Sequence, residues 1–171
     1  MRGKTESFQF SAETLLEFSK YYREHSLEAK EDGYLKEGKN IIRRADEQAI
    51  GRKHYLRLNG NRQTHPEDGY NFRGRGLIQI TGYEKYSTFQ TKYNIYWSDS
   101  SPDSVNHPEI INEMPYAIRS AIWFWLYSSV YTADKGLGYN GVIAVTKKVN
   151  GGDMGLEERQ NAYKLCEEVF L

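Results

Sequence analysis

The sequence has very little cysteine, proline or histidine, and it carries no excess charge of either sign. Its one cysteine, Cys166, excludes an intrachain disulfide, and one cysteine with four scattered histidines offers no zinc-ligand pattern. The 23 basic residues balance 23 acidic ones, so charge favours neither nucleic acid nor an anionic membrane as a partner. We expect no metal, no cofactor and no nucleic-acid partner.

Long apolar runs and a secretory signal are also missing, so we expect no insertion into a membrane and synthesis in the cytoplasm without a signal peptide. A substrate outside the cytoplasm would require another route of delivery. The 171 residues suit one domain, spanning residues 1–171, with a core that needs no covalent staples.

Tyrosine, by contrast, is abundant, with 14 residues against 7 phenylalanines and 3 tryptophans. Tyrosine rings stack on sugars and their hydroxyls reach polar groups, which suits a carbohydrate cleft. Amphipathic tyrosines at the boundary of the core explain the same excess. For any single tyrosine the composition leaves both interpretations open.

The central stretch of the chain is Asn71–Gly82, in which two glycines flank Arg75. Leu77–Thr81 is rich in β-branched residues and bounded by glycine, which predicts a short strand. The two-residue period would place Gln79 and Thr81 on one face, and this pair suits a neutral, hydroxyl-rich ligand. A dinucleotide site is disfavoured because its third glycine is missing, and a nucleic-acid arm because the unit is single and short. A purely structural tight turn stays open.

Helical patterns occupy most of the remaining chain. Ser11 can cap a first helix, and apolar residues all round the segment after Pro115 predict a buried central helix. The last helix is predicted to turn Leu165, Val169 and the thiol of Cys166 inward. Residues 24–39 are predicted to form a charged surface loop with a broken helix.

The run Asp68–Gly82 closely resembles the signature of family 19 glycoside hydrolases, in the branch that includes phage endolysins and bacterial chitinase-like lysozymes. The order of segments on both sides, such as His107–Glu109 and Val149–Gly152, is similar too, so nearly the whole chain is covered. The resemblance implies a mainly α, lysozyme-like α+β fold, with one small β element beside the active-site cleft.

For catalysis, the resemblance implies that Glu6 is the base that activates water, helped by the hydroxyl of Thr81. Inversion also needs a carboxylic acid across the sugar. The family's acid lies upstream, but only five residues precede Glu6 and none is a carboxylate. The chain is therefore part of a longer protein, a degenerate relative, or one in which another acid (Glu31, Glu37 or Glu67) substitutes. A solvated acid near the terminus remains the alternative for Glu6.

The resemblance also implies that Gln79 and Asn150 bind sugar and that Arg159 supports the carboxylates. Tyr86 joins the predicted substrate-binding residues. Lys85 departs from the family, where asparagine is usual. A strand-edge amide, a helix-ending asparagine and an exposed helix charge are the structural alternatives for Gln79, Asn150 and Arg159.

The resulting hypothesis is a peptidoglycan hydrolase of lysozyme type, an endolysin or an antibacterial effector, that cleaves β-1,4-glycosidic bonds with inversion. The alternatives are an endochitinase and a non-catalytic glycan-binding or interaction module. We expect a monomer that acts in the periplasm or on the cell wall after delivery by a holin or a secretion system. A cognate inhibitor or immunity protein is a further expected partner.

Overall fold

The computed structural model describes residues 3–170. Contacts divide the chain into two compact units, one up to Ala121 and one from Ile122 onward, and each is described by itself. Helices predominate in both units, and the strands form small two-stranded ribbons, so the predicted mainly α, α+β class is confirmed. The single domain over residues 1–171 stays a prediction.

The helices of the first unit are α1 (Ala12–Phe18), α2 (Lys20–Glu24), α3 (Ser26–Asp32), α4 (Glu47–His54), α5 (Asp68–Asn71) and α6 (Tyr83–Lys92). Its antiparallel ribbons pair β1 (Lys4–Thr5) with β4 (Arg75–Gly76) and β2 (Leu35–Glu37) with β3 (Asn40–Arg43). Helix α7 (Tyr116–Tyr127) runs through the division, and the second unit contains α8 (Tyr139–Asn150) and α9 (Leu156–Phe170). Short 3-10 helices are Tyr93–Ile95, Pro108–Asn112 and Val130–Ala133.

Side-chain caps begin two of the helices that enclose the main core. Ser11 accepts a hydrogen bond from the Thr14 amide at α1, as predicted, and Asp46 accepts one from the Ala49 amide at α4. Their apolar faces meet in a cluster whose buried members are Phe8, Leu15, Tyr22, Ala29, Ala45 and Ile50. The burial of Phe8 fixes the N-terminal segment against this core.

The predicted strand Leu77–Thr81 is wrong. The strand is shorter and earlier, at β4, and Arg75 pairs with Ile80 across a tight turn. Gln79 has a left-handed backbone with φ 59°, which ends the two-residue alternation. The apolar residues therefore separate, with Ile80 buried and Leu77 45% exposed.

Within residues 24–39, α3 corresponds to the predicted broken helix. The strand β2 follows it, where a surface loop was predicted. Gly38, with φ 60°, lies between β2 and β3 and allows the chain to reverse. Every residue of these two strands is exposed, so the ribbon has no buried face and leaves no alternating pattern to read.

Two expectations about buried helix faces are also wrong. Helix α7 exposes Ile118, Ile122 and Leu126 by 42%, 46% and 39%. The helix is therefore apolar all round without being buried on all sides. On α9, Leu165, Val169 and the thiol of Cys166 are exposed. Helix α9 packs against α8, which covers only one of its faces. No helix within residues 3–170 combines the length and apolarity needed to cross a membrane.

An ion pair between a buried carboxylate and a partly exposed arginine closes the loop that leads into the glycine motif. Asp68 is 2% exposed, and its two oxygens accept hydrogen bonds from Arg62 Nε at 2.8 Å and Nη2 at 2.7 Å. Burial alone would raise the pKa of Asp68, but the hydrogen bonds from Arg62 outweigh it and hold that pKa below its usual value.

We predict that Asp68→Asn lowers the free energy of unfolding at pH 7 by about 1–3 kcal/mol, because Arg62 loses its charged partner. Because the pKa of Asp68 is lowered in the folded state, its carboxylate stabilises the fold at pH values above the ordinary pKa of aspartate. This contribution is lost as the pH falls. Urea unfolding of both proteins should therefore show the difference shrinking below about pH 4. A difference that is constant from pH 7 to pH 3 would contradict this assignment.

Candidate active site

The candidate site is built on the pairing of β1 with β4. Lys4 lies opposite Gly76 and Thr5 opposite Arg75, so Glu6 leaves the ribbon directly beside Gly74. The Glu6 amide donates to the Gly74 carbonyl at 2.8 Å and continues the pairing by one residue.

Asn112 joins the two strands from outside the ribbon. Its Oδ1 accepts a hydrogen bond from the Gly76 amide at 3.0 Å, and its Nδ2 donates to the Thr5 hydroxyl at 2.6 Å. Asn112 itself is buried. Asn112 was not predicted, because a single asparagine at the end of a short 3-10 helix leaves no recognisable periodicity in the sequence.

The Glu6 carboxylate is held by a hydrogen bond to each oxygen. The Gly74 amide donates to Oε2 at 2.9 Å, and the Tyr55 hydroxyl donates to Oε1 at 2.8 Å. The side chain is half-buried. Burial and the nearby charge of Glu6 raise the pKa of Tyr55, so its hydroxyl keeps its proton and remains a donor at neutral pH. Tyr55 was not predicted, although a tyrosine excess was noted.

Glu47 holds the segment that follows Glu6. It accepts hydrogen bonds from the Phe8 amide at 2.8 Å and from Gln9 Nε2 at 2.7 Å. Burial would raise the pKa of Glu47, but the hydrogen bonds from Gln9 and Phe8 prevail and lower it. Glu47 is therefore ionised at neutral pH and is unsuited to give a proton to a leaving group.

The turn of the β4 hairpin places Gln79 beside the same carboxylate. A Cβ on Gly74 would lie 2.9 Å from Gln79 Oε1 and 3.3 Å from Glu6 Oε2, so both side chains approach this glycine. Gln79 Nε2 donates to the Lys4 carbonyl at 2.7 Å and to the Gly76 carbonyl at 2.9 Å, while the residue remains exposed. Gln79 thereby ties the turn to β1.

Thr81 is half-buried, and its hydroxyl donates to the Gln79 carbonyl at 2.9 Å. Because the proton is used in this bond, the lone pairs of the hydroxyl oxygen remain available to accept a hydrogen bond. The structure thus brings Glu6 and Gln79 together at Gly74 and links Thr81 to Gln79 through the backbone.

Tyr86 differs from what the sequence suggested, because its side chain is fully buried and offers no surface to a substrate. Its hydroxyl donates to the Arg73 carbonyl at 2.7 Å and accepts a hydrogen bond from Arg75 Nη1 at 3.1 Å. Burial raises the pKa of Tyr86 to about 12.

Asn150 and Arg159 belong to the second unit. Asn150 ends α8, and Arg159 lies in α9. Asn150 Nδ2 and Arg159 Nη1 both donate to the Met154 carbonyl at 2.8 Å, which fastens the turn between the two helices. The roles of these residues toward a sugar stay predictions.

Residues 3–170 contain no cluster of three or more His, Cys, Asp or Glu side chains arranged to hold a metal ion. The polar side-chain groups at the hairpin are one carboxylate, one amide and hydroxyl groups. This arrangement can hold and polarise a water molecule and can hydrogen-bond to neutral sugar hydroxyls or acetamido groups.

No protein-family model matches the chain. The sequence is similar to a glycosyl hydrolase family 19 domain-containing protein of Haemophilus influenzae, with 30% identity over 115 residues. This similarity supports membership of glycosyl hydrolase family 19. The match covers 67% of this chain and 50% of that protein, so the chain spans about half the length of its relative.

We predict that Gly74→Ala lowers the free energy of unfolding by about 1–3 kcal/mol, because the new methyl group would press on the Gln79 and Glu6 side chains. Gly152→Ala is the matched control, since a Cβ there meets nothing within 4 Å and its φ is not in the left-handed region. Chemical denaturation should leave this control within about 0.5 kcal/mol of the parent. Equal stability of the two variants would show that the space beside Gly74 is not filled as described.

Proposed function

We propose that this protein is a peptidoglycan hydrolase that cleaves β-1,4-glycosidic bonds of the cell-wall glycan with inversion. The observation that carries the proposal is the Glu6 carboxylate, anchored by Tyr55 and Gly74 beside the exposed amide of Gln79. The similarity to a glycosyl hydrolase family 19 domain-containing protein supports the reaction class.

In the proposed reaction, Glu6 takes a proton from a water molecule as the water oxygen attacks the anomeric carbon. Each Glu6 oxygen accepts one hydrogen bond from the protein, which leaves lone pairs for the water proton. Thr81 Oγ accepts a hydrogen bond from the other water hydrogen, which stays on that oxygen as part of the new anomeric hydroxyl. The bond between the anomeric carbon and the leaving oxygen breaks as the bond to the water oxygen forms, and a general acid protonates the leaving oxygen.

The general acid must be a protonated carboxyl group about 6.5–9.5 Å from Glu6. Glu31 lies in α3 and Glu37 in β2, and both are exposed. The oxygens of Glu67 accept hydrogen bonds from Arg52 Nη1 at 2.7 Å and Gln48 Nε2 at 3.2 Å. We assign the role of general acid to none of these three residues. Since a general acid contributes about 10²–10⁴ in rate, we expect slow hydrolysis by residues 1–171 alone.

We predict that Glu6→Gln and Thr81→Ala each reduce hydrolysis of purified cell walls by at least about tenfold, because each removes a contact to the attacking water. Loss of turbidity is the measurement, with circular dichroism as the check on folding. Glu17→Gln, an exposed position on α1, is the matched control and should keep the parent rate. Parent-like rates in all three variants would remove Glu6 and Thr81 from the mechanism.

Stereochemistry tests the mechanism separately from the residues. An inverting enzyme releases the α-anomer first from a β-linked substrate, and proton NMR of the early products shows it before mutarotation. A β-anomer would indicate retention, in which a carboxylate or the substrate's own acetamido oxygen attacks first, and would contradict the inverting mechanism.

An endochitinase is the second candidate, because the neutral amide and hydroxyl groups at the hairpin suit a chain of N-acetylglucosamine equally well. Release of chitin oligomers without loss of wall turbidity would favour it. Binding of either polymer without cleavage, measured by co-sedimentation, would favour the non-catalytic module.

A further inference from the structure

Arg75 is a buried residue whose guanidinium group donates a hydrogen bond to a tyrosine hydroxyl. Its side chain is 5% exposed, and Nη1 donates to the Asn71 carbonyl at 2.5 Å and to the Tyr86 hydroxyl at 3.1 Å. Among the ion pairs of residues 3–170, none includes Arg75. Burying a guanidinium group without a carboxylate partner is costly, so its placement calls for a physical explanation.

The Tyr86 hydroxyl in turn donates to the peptide group between Arg73 and Gly74. It donates to the Arg73 carbonyl at 2.7 Å, and the amide of that same peptide group, Gly74 N–H, donates to Glu6 Oε2 at 2.9 Å. Every donor in this series points in the same direction, from the guanidinium to the carboxylate. A positive charge thus lies at one end and a negative charge at the other.

We propose that Arg75 and Tyr86 are positioning residues that polarise the peptide group between Arg73 and Gly74, so that its amide holds the Glu6 carboxylate in place. Donation to the carbonyl makes the amide of the same peptide group a stronger donor, by about 10–30% per bond in a series of hydrogen bonds. The buried charge of Arg75 adds to this effect because the surrounding dielectric constant is low.

The burial of Tyr86 supports the direction of the series. Its raised pKa keeps the hydroxyl protonated at neutral pH, so Tyr86 can accept from Arg75 and donate to Arg73 at the same time. The ring also packs edge-on against Phe72, with centroids 5.2 Å apart, which limits its movement. The proposal thereby gives a role to a tyrosine of α6 that is too buried to touch a substrate.

The catalytic meaning of this arrangement rests on the proposed function, but the hydrogen-bond series can be tested without any activity. We predict that Tyr86→Phe moves the Gly74 amide proton upfield in the NMR spectrum of the full chain. The same amide should exchange with deuterium at least about threefold faster than in the parent, because its hydrogen bond to Glu6 is weakened.

Tyr93→Phe is the matched control. Tyr93 is also fully buried, and its hydroxyl contacts Arg119 and Asp99 instead of the peptide group beside Glu6. This variant loses a buried hydroxyl of the same kind and should leave the Gly74 amide unchanged. A Gly74 signal that is the same in the parent and both variants would overturn the proposal, and so would equal changes in both variants.

Arg75→Lys provides a second measurement if Tyr86→Phe folds poorly. A lysine keeps the positive charge but cannot reproduce the geometry of the guanidinium group. We expect a smaller upfield shift of the Gly74 amide in the same direction, and no shift would contradict the role of Arg75. On cell walls, Tyr86→Phe should lower kcat more than it raises KM. No hydrolysis by the parent, together with the predicted NMR changes, would reject the proposed function and keep the positioning role.

Discussion

The arrangement of the candidate site depends on one short antiparallel contact, in which residues 4–6 pair with residues 74–76. The contact is fastened on one side by Asn112 and on the other by Phe8, whose ring is buried in the main core. Glu6 lies between these two anchors, so its backbone has little freedom. A carboxylate held this way pays little conformational entropy when it meets a substrate.

Most of the polar groups around Glu6 serve to position it. Tyr55 and the Gly74 amide bind its two oxygens, and Glu47 holds the backbone of the next residues. Hydrogen bonds thus compensate for the partial burial of the Glu6 and Glu47 carboxylates. Gln79 and Thr81 remain on the accessible side, which is where a neutral sugar could be recognised.

Similarity to a family 19 glycosyl hydrolase domain gives these contacts a chemical context. In the proposed mechanism, the base side lies in the first unit, in residues that are close in space although Glu6 and Gly74 are far apart in sequence. The acid side has no candidate in comparable surroundings among Glu31, Glu37, Glu47 and Glu67. We therefore assign the base of the proposed reaction to Glu6 and assign its acid to none of these four residues.

The amino-acid sequence alone determined the helical class and the cap at Ser11, because these depend on local periodicity and backbone preferences. It did not predict the turn at Gln79, the exposed ribbon at β2 and β3, or the exposed thiol of Cys166. Those features depend on which faces other elements cover, and a local pattern contains no information about that. Only the tertiary structure decided that Tyr55 and Gly74 hold Glu6 and that Tyr86 lies behind the site, because hydrogen bonds between distant segments form only after the chain has folded.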